Sequence, residues 1–261
     1  MAQAKTISLR RGAFKIKTWS AGSGRPLLYL HGIDGLNGWP SWLDGFTGAW
    51  RVVAPQQPGF GSSTGLDHLE SFLDLSLFYL DLIEALGMER PAIIGHGLGG
   101  NIAAELAAIN PHAVDKLVLV APTGLWNDED PGVDVFAITE PEMTKIAWHD
   151  PEGAVKRGLV KIPKTDNQKR AAILDRAKAL STAGKFLWPI PDKGLDRRAY
   201  RITAPTLLVW GASDKIVPPS YAPLFRKLIA GSKVVRIPRA GHSPMLEQPG
   251  RFVAAVKSFL G

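Results

Sequence analysis

Short apolar runs alternate with longer amphipathic stretches over the first 120 residues. Strands are predicted for an opening hairpin and for four later runs: Thr6–Leu9, Phe14–Trp19, Pro26–Leu30, Arg51–Ala54, Ala92–Ile94 and Lys116–Val120. Apolar residues recur every three or four positions across Leu66–Leu86, which predicts one long helix, and the Ala-rich segment Asn101–Ile109 predicts another. Buried strands that alternate with helices are typical of a mostly parallel sheet with crossover helices.

The pattern changes in the middle of the chain. No strong strand signal occurs there, and two helices are predicted: Glu152–Val160 and Asn167–Ala183. Strand and helix patterns then return over residues 206–210, Pro218–Ile229, Lys233–Ile237 and Gly250–Leu260. We therefore predict an α/β core made of residues 1–124 and 202–261, interrupted by a helical insertion, the cap, at residues 125–201.

Composition narrows the class of protein. Of the 261 residues, 45% are hydrophobic and 21% are charged, which supplies enough apolar surface for a packed core. No apolar run approaches the roughly 18 residues that a membrane-spanning helix needs. Cysteine is absent, which excludes disulfides, thiolate metal sites and thiol nucleophiles. The first residues lack the apolar core of a signal peptide, so we expect a soluble, cytoplasmic protein.

The net charge of +7 is unevenly distributed. Residues 125–144 hold six acidic and no basic side chains, whereas residues 145–201 hold fourteen Lys and Arg against six Asp and Glu, a net charge of +8. Solvated helix faces account most simply for this basic stretch, and attraction of an anionic substrate is the alternative. Nucleic-acid binding is disfavoured because the basic residues occur at scattered helical spacings, with no motif of interleaved aromatic and basic residues.

A glycine-rich turn follows the predicted strand Ala92–Ile94 and precedes the helix predicted from Asn101. Its sequence is Gly95-His-Gly-Leu-Gly-Gly100. Strand, tight turn and helix form the context of the G-x-S-x-G nucleophile elbow, where the backbones pass so closely that small residues are required. The same glycines fit a dinucleotide-binding fingerprint with Asp115 as its acidic residue. That fold normally opens with this unit, however, and here several predicted strands come first.

Four further motifs accompany this turn. In chain order they are His31-Gly32, Pro55-Gln-Gln-Pro-Gly-Phe-Gly-Ser-Ser63, Trp210-Gly-Ala-Ser-Asp-Lys-Ile-Val-Pro218 and Ala240-Gly-His-Ser-Pro-Met-Leu-Glu-Gln-Pro249. With these motifs the chain resembles the α/β-hydrolase superfamily from end to end, and within it the carboxylesterases and carbon–carbon bond hydrolases. The resemblance implies an α/β-hydrolase fold with a helical cap. It names no substrate, because this fold hosts many chemistries.

Gly97 departs from the family pattern. It stands where family hydrolases carry Ser, or sometimes Asp or Cys, and glycine has no side chain with which to form an acyl intermediate. Glycine also relieves the backbone strain of the elbow, about 1–3 kcal/mol for a residue with a side chain. Glycine at position 97 therefore favours the stability of the fold and removes the catalytic nucleophile. An engineered knockout and a naturally decayed enzyme would both carry it.

The resemblance also implies roles for the groups around the elbow. Asp214 would orient the His242 imidazole, which would act as the general base, since acid and histidine follow the nucleophile in this order. The backbone N–H groups of Ile33 and Leu98 would form the oxyanion hole, which does not need the missing hydroxyl.

Three other polar residues near these motifs are expected to be structural. His31 should brace its own loop, and Asp34, which precedes Gly35, should occupy a turn. His96 should pack with its ring pointing away from the chemistry.

Several tryptophans fall in loops or in the cap, near the expected mouth of the cleft. Each suits packing by itself, but as a set they favour a hydrophobic pocket for an apolar or aromatic small molecule, with an anionic group as an open alternative. We expect the pocket to be lined by Trp39, Trp126, Trp188 and Phe186. No cofactor is implied, and no His, Asp or Glu cluster has metal-ligand spacing.

Three functions therefore remain open. The favoured one is a serine-hydrolase scaffold for ester or carbon–carbon bonds whose nucleophile is replaced by Gly97. The second is a ligand-binding protein that keeps the pocket without turnover. The third is catalysis without a nucleophile, in which the Asp214–His242 dyad acts as a general base on water or on an acidic carbon.

Overall fold

A computed structural model describes residues 2–188, 190 and 193–261. Eight strands form one sheet: β1 Gln3–Leu9, β2 Phe14–Ala21, β3 Arg25–Leu30, β4 Trp50–Pro55, β5 Ala92–His96, β6 Leu117–Val120, β7 Thr206–Gly211 and β8 Lys233–Ile237. Their order is β1-β2-β4-β3-β5-β6-β7-β8. The hairpin β1–β2 and the pair β2–β4 are antiparallel, and every other pair is parallel. The mostly parallel sheet predicted from the sequence is confirmed.

Two apolar layers cover the faces of this sheet. The described α-helices are α1 Phe72–Ala85, α2 Leu98–Ile109, α3 Glu140–Ala147, α4 Pro151–Lys156, α5 Asp166–Leu187, α6 Tyr221–Leu228, α7 Pro244–Glu247 and α8 Pro249–Leu260. Side chains of α1, α2 and α6 share one core cluster with alternate strand residues such as Ile93, while α8 packs on the opposite face beside Ile94. Strands covered on both faces are apolar throughout, which is why their sequences show no alternation.

Several helix boundaries differ from the sequence prediction, among them the starts of α1 and α2. The long helix predicted from Leu66 begins at Phe72, because the Ser71 hydroxyl accepts a hydrogen bond from the Asp74 N–H at 3.2 Å and caps it there. The helix predicted from Asn101 begins at Leu98 instead. Gly99 and Gly100 have poor helix propensity, and tertiary packing against β3 and β5 overrides it.

Helices α3, α4 and α5 occupy the stretch between β6 and β7, and the described residues there contain no strand. The sequence prediction missed α3. A capping box starts this helix, with the Glu142 carboxylate accepting from the Thr139 N–H at 2.8 Å. Several basic side chains fasten this stretch to its surroundings. Lys185 pairs with Glu70 at 3.1 Å, and Arg198 with the buried Glu105 at 2.6 Å, whereas Arg176 pairs with Glu140 inside the stretch at 2.6 Å.

Candidate active site

Gly97 forms the turn between β5 and α2. Its backbone angles are φ 53° and ψ −114°, a combination that residues with a side chain rarely adopt. The backbones pass closely here, since a Cβ at Gly95 or at Gly99 would overlap a backbone carbonyl oxygen. The strand, turn and helix predicted from the glycine-rich sequence are present.

Asp214 and His242 meet at the carboxyl ends of β7 and β8. Asp214 Oδ2 lies 2.9 Å from His242 Nδ1, which is a hydrogen-bond distance. Asp214 Oδ1 accepts hydrogen bonds from the backbone N–H groups of Ile216 at 2.9 Å and Val217 at 3.1 Å. The Asp214 side chain is fully buried and that of His242 is 11% exposed, so the aspartate holds one imidazole edge while the other remains accessible.

The free edge of the imidazole faces Gly97. A Cβ built on Gly97 would lie 3.3 Å from His242 Nε2 and 4.0 Å from Cε1. A hydroxyl on that Cβ would therefore be within hydrogen-bond reach of the ring. Residues from three separate parts of the chain are thus brought together in the order in which a nucleophile, a base and an acid would stand.

The loop after β3 closes the third side of this group. His31 Nδ1–H donates to the Gly32 carbonyl at 2.7 Å, while His31 Nε2 accepts from the Gln57 N–H at 2.9 Å. The loop is therefore held by its buried histidine. The Gly32 Cα would lie 3.9 Å from the Cβ built on Gly97.

Two backbone donors lie next to this vacant position. Leu98 opens α2 directly after Gly97, and Ile33 follows Gly32. Within the described part of the chain, neither N–H donates a hydrogen bond. Both donors are therefore available to a ligand bound above Gly97.

His96 corrects the sequence interpretation, because its ring points toward His242 and not away from it. The two ring centroids are 4.7 Å apart, and His96 Nε2–H donates to the His242 carbonyl at 2.9 Å. The reason is strand alternation, which places His96 on the same sheet face as Ile94. The loop that carries His242 crosses the strand ends on that face.

The three buried histidines differ in their electrostatics. Burial lowers the pKa of His31 to about 4. Burial and the neighbouring His242 lower the pKa of His96 to about 3. For His242, burial favours the neutral ring, but the charge and hydrogen bond of Asp214 and the charge of Asp34 outweigh it, so its pKa is raised. His242 is therefore the strongest base of the three.

A cleft lies beside the elbow, and its empty space, open solvent included, amounts to about 630 Å³. Thr123, whose backbone N–H donates to the Gly97 carbonyl at 3.2 Å, belongs to its wall. So do Ile216 and Val217, which hold Asp214. Apart from one basic side chain, Lys193, the wall is largely apolar and aromatic.

Only one of the four expected lining residues lies in this wall, namely Trp126. Trp39 donates to Asp44 at 2.7 Å and packs with the core on the opposite face of the sheet. Phe186 is buried against Phe72, with ring centroids 5.9 Å apart, and Trp188 is 56% exposed. Loop position alone could not show on which face of the sheet each ring would lie.

Two buried polar residues of this region were missed by sequence reasoning. Asn101 lies one helical turn after Gly97, with its side chain in the cleft wall. Its polarity within an otherwise Ala-rich buried helix was a readable signal. Glu247 accepts backbone hydrogen bonds from Gly241 and His149, a contact between distant segments that no local pattern predicts.

Among the residues that the structure describes, no group of three His, Asp or Glu side chains is arranged to hold a metal ion. No described helix is long and apolar enough to cross a membrane.

Known proteins resemble this chain over most of its length. A 2-hydroxy-6-oxo-2,4-heptadienoate hydrolase of Pseudomonas putida is 24% identical, over 95% of this chain and 94% of its own. A pimeloyl-[acyl-carrier protein] methyl ester esterase of Aeromonas hydrophila is 27% identical, over 92% and 97%. The dihydrolipoyllysine-residue acetyltransferase component of the acetoin cleaving system of Cupriavidus necator is 27% identical, and this chain spans 64% of its length.

Solved structures and a family model agree with this picture. A meta-cleavage product hydrolase from Pseudomonas fluorescens IP01 superposes with a TM-score of 0.76 at 21% identity, covering 98% of this chain and 97% of that one. Residues 25–249 match the family model described as alpha/beta hydrolase fold. The chain belongs to the alpha/beta hydrolase fold family.

Proposed function

We propose that this chain is the scaffold of a serine-type hydrolase of ester or carbon–carbon bonds, disarmed because Gly97 occupies the nucleophile position. One observation carries the proposal. A Cβ at Gly97 would lie 3.3 Å from Nε2 of an imidazole whose other nitrogen bonds a buried aspartate. This is the arrangement that activates a hydroxyl nucleophile.

The parental reaction follows from the positions of these groups. A serine hydroxyl at position 97 would give its proton to His242 Nε2 and attack the substrate carbonyl carbon. The N–H groups of Leu98 and Ile33 would stabilise the resulting oxyanion. The imidazolium would then protonate the leaving oxygen or carbon as the bond breaks, and water would hydrolyse the acyl-enzyme by the same route in reverse roles.

Two relatives support the hydrolysis of either kind of bond. One is described as a hydrolase of a 2-hydroxy-6-oxo-dienoate and another as a methyl ester esterase. We take the substrate to be a small molecule with an apolar or aromatic part, in keeping with the lining of the cleft. We assign the helical stretch at residues 125–201 as a cap over this cleft, because Trp126 and Phe136 belong to the cleft wall.

A second candidate is general-base catalysis by the Asp214–His242 dyad alone. The raised pKa of His242 favours it, because a more basic imidazole takes a proton more readily. The third candidate, ligand binding without turnover, needs only the cleft.

The deciding experiment restores the hydroxyl. Gly97→Ser should raise the turnover of short-chain or aryl esters by about 10²-fold or more. Without the nucleophile, the oxyanion hole and binding alone give a rate enhancement of about 10³–10⁴ over the reaction in water, which is far below that of a complete triad. It should also reduce stability, because serine must adopt the strained angles of Gly97.

Controls separate the three candidates. Adding His242→Ala to the serine variant should abolish the gain, because the new hydroxyl then lacks a base. Activity of the glycine form that vanishes with His242→Ala would instead establish the dyad as the catalyst. A folded but inert serine variant would reject the hydrolase proposal and leave ligand binding.

A further inference from the structure

One buried polar atom of the cleft has no hydrogen-bond partner. The side chain of Asn101 is nearly inaccessible, and its Oδ1 accepts no hydrogen bond in the described part of the chain. Buried polar atoms are nearly always paired, because desolvating one without compensation is unfavourable. Asn101 belongs to the wall of the cleft, and an unpaired carboxamide there indicates a ligand group that pairs with it.

The surrounding backbone leaves room for this carboxamide. A Cβ at Gly124 would lie 2.6 Å from Asn101 Oδ1, so only glycine fits opposite it, and the φ of 107° at Gly124 is one that glycine adopts freely. Asn101 also stands one helical turn after Gly97, and its own N–H donates to the Gly97 carbonyl at 3.1 Å. The carboxamide is thus part of the wall beside the elbow and not of a remote core.

The remainder of the wall defines what surrounds the polar contact. Its apolar side chains include Leu125, Trp126, Val135, Phe136 and Leu187. The Tyr221 hydroxyl accepts from the backbone N–H groups of Gly132 at 3.0 Å and Asn127 at 3.3 Å, and its own proton is available for donation. An aromatic ring with one small polar substituent matches this lining.

Two charged substituents fit this site less well than a hydroxyl does. A carboxylate has no proton to give to Asn101 Oδ1, and an ammonium group would meet the positive charge of Lys193 in the same wall. A hydroxyl donates to the carboxamide oxygen and also accepts from Tyr221 or from the carboxamide N–H. It therefore pairs whichever way the amide is turned.

We propose that Asn101 is the polar contact of a subsite for an uncharged hydroxyaryl group, whose hydroxyl donates to Asn101 Oδ1. This inference deepens the proposed function, since it names the substrate part that the cleft accepts. The inference depends on the proposed function only in calling the bound molecule a substrate, because binding of the hydroxyaryl group needs no turnover.

The test compares two probes on the chain as it stands, with Gly97 in place. 4-Ethylphenol offers a hydroxyl proton, and 4-ethylanisole carries a methyl group in its place. We expect titration calorimetry to give about ten-fold tighter binding of 4-ethylphenol, because the anisole leaves the buried oxygen unpaired. In Asn101→Leu the two probes should bind within about two-fold of each other.

Stability supplies an independent readout. Asn101→Leu replaces an unpaired polar group by an apolar one of similar size, so the midpoint of thermal unfolding without probe should rise. A residue kept for structure would lower that midpoint when replaced. Asn101→Ala, which adds no bulk, provides the same binding comparison if the leucine variant does not fold.

Tyr79 in α1 offers a matched control. Its hydroxyl is the other buried side-chain oxygen without a partner among the described residues, and it lies outside the cleft wall. Tyr79→Phe should therefore also raise the unfolding midpoint, yet leave the preference for 4-ethylphenol unchanged.

Two results would overturn the inference. Equal affinity of the original chain for both probes would show that Asn101 recognises no hydroxyl. A preference that persists in the leucine and alanine variants would show that another group recognises it. Both results are independent of the serine rescue, so an inert Gly97→Ser variant would reject the hydrolase proposal without touching the subsite.

Discussion

Asp214 divides its two carboxylate oxygens between two tasks. One oxygen accepts from His242 Nδ1–H and the other from the N–H groups of Ile216 and Val217. The backbone donors fix the carboxylate, and the fixed carboxylate determines which imidazole nitrogen carries the proton. Nε2 is thereby left as the acceptor that faces Gly97.

We therefore expect Asp214→Asn to disable the serine variant. An asparagine turned to keep its oxygen on the backbone N–H groups presents its NH₂ to His242, which stabilises the wrong tautomer. In the Gly97→Ser background kcat should fall by about 10⁴, with little change in thermal stability. Steady-state ester kinetics measure this fall. Asp67→Asn, at an exposed position, is the control, and a loss below ten-fold in Asp214→Asn would contradict the assigned role.

At the scale of single residues, the sequence predicted the positions that belong to recognisable motifs. Gly97, Asp214 and His242 follow from motif and chain order. The orientation of His96 and the exposure of Trp188 do not, because each depends on how segments distant in sequence pack against it. Asn101 lies between these cases. Its polarity is visible in the sequence, but only the structure shows that its carboxamide oxygen has no hydrogen-bond partner.

Among the elements, the loop that carries His242 is tied to the connection between α3 and α4. The His242 N–H donates to the Ala147 carbonyl at 2.8 Å. The buried Glu247 carboxylate accepts from the N–H groups of Gly241 and, at 3.0 Å, His149. The position of the imidazole therefore depends on a helical segment far away in sequence.

Removing the Glu247 carboxylate should loosen this connection. Glu247→Ala leaves buried backbone N–H groups without an acceptor, and hydrogen bonds to charged groups contribute about 1.5–3 kcal/mol each. We expect the free energy of unfolding to fall by about 3 kcal/mol in urea titrations, and the Gly241 and His149 amides to exchange faster. Glu247→Gln keeps one acceptor and should lose less. Glu84→Ala, at an exposed position, should change neither quantity, whereas unchanged exchange in Glu247→Ala would contradict the connection.

The elements themselves were predicted to the extent that local sequence determines them. Strands β3 to β7 stand out as apolar runs because both of their faces are covered. The shifted start of α1 follows from a serine cap that the apolar spacing conceals, and α3 from a capping box that was present but not used. The early start of α2 has no local cause, because close packing against β3 allows glycines to begin a helix.

In the whole molecule, the sheet order brings all of these groups to one edge. Because β5, β6, β7 and β8 run parallel, their carboxyl ends carry Gly97, Thr123, Asp214 and His242 to the same side. The sequence could predict this convergence from the alternation of strands and helices alone. It could not predict that two further histidines would be buried there without a charged partner.

Those two histidines predict how the protein responds to acid. The pKa of His96 is lowered to about 3 and that of His31 to about 4, both chiefly by burial, whereas an unfolded histidine titrates near pH 6.5. Below about pH 6.5 the unfolded chain therefore binds protons that the folded chain does not bind. Each buried histidine thus lowers the free energy of unfolding as the pH falls, whereas above that pH the stability is fully present. The loss is about 1 kcal/mol per pH unit for each ring. His96→Gln keeps an N–H donor for the His242 carbonyl but cannot titrate, so its unfolding free energy should fall less steeply between pH 6 and pH 4, by about that amount per unit. The slope is the measured quantity, because the substitution can also change stability at neutral pH.

The control is His112→Gln, at an exposed position, which should keep the original slope. If His96→Gln also kept the slope of the original chain, His96 would not be held neutral in the folded protein.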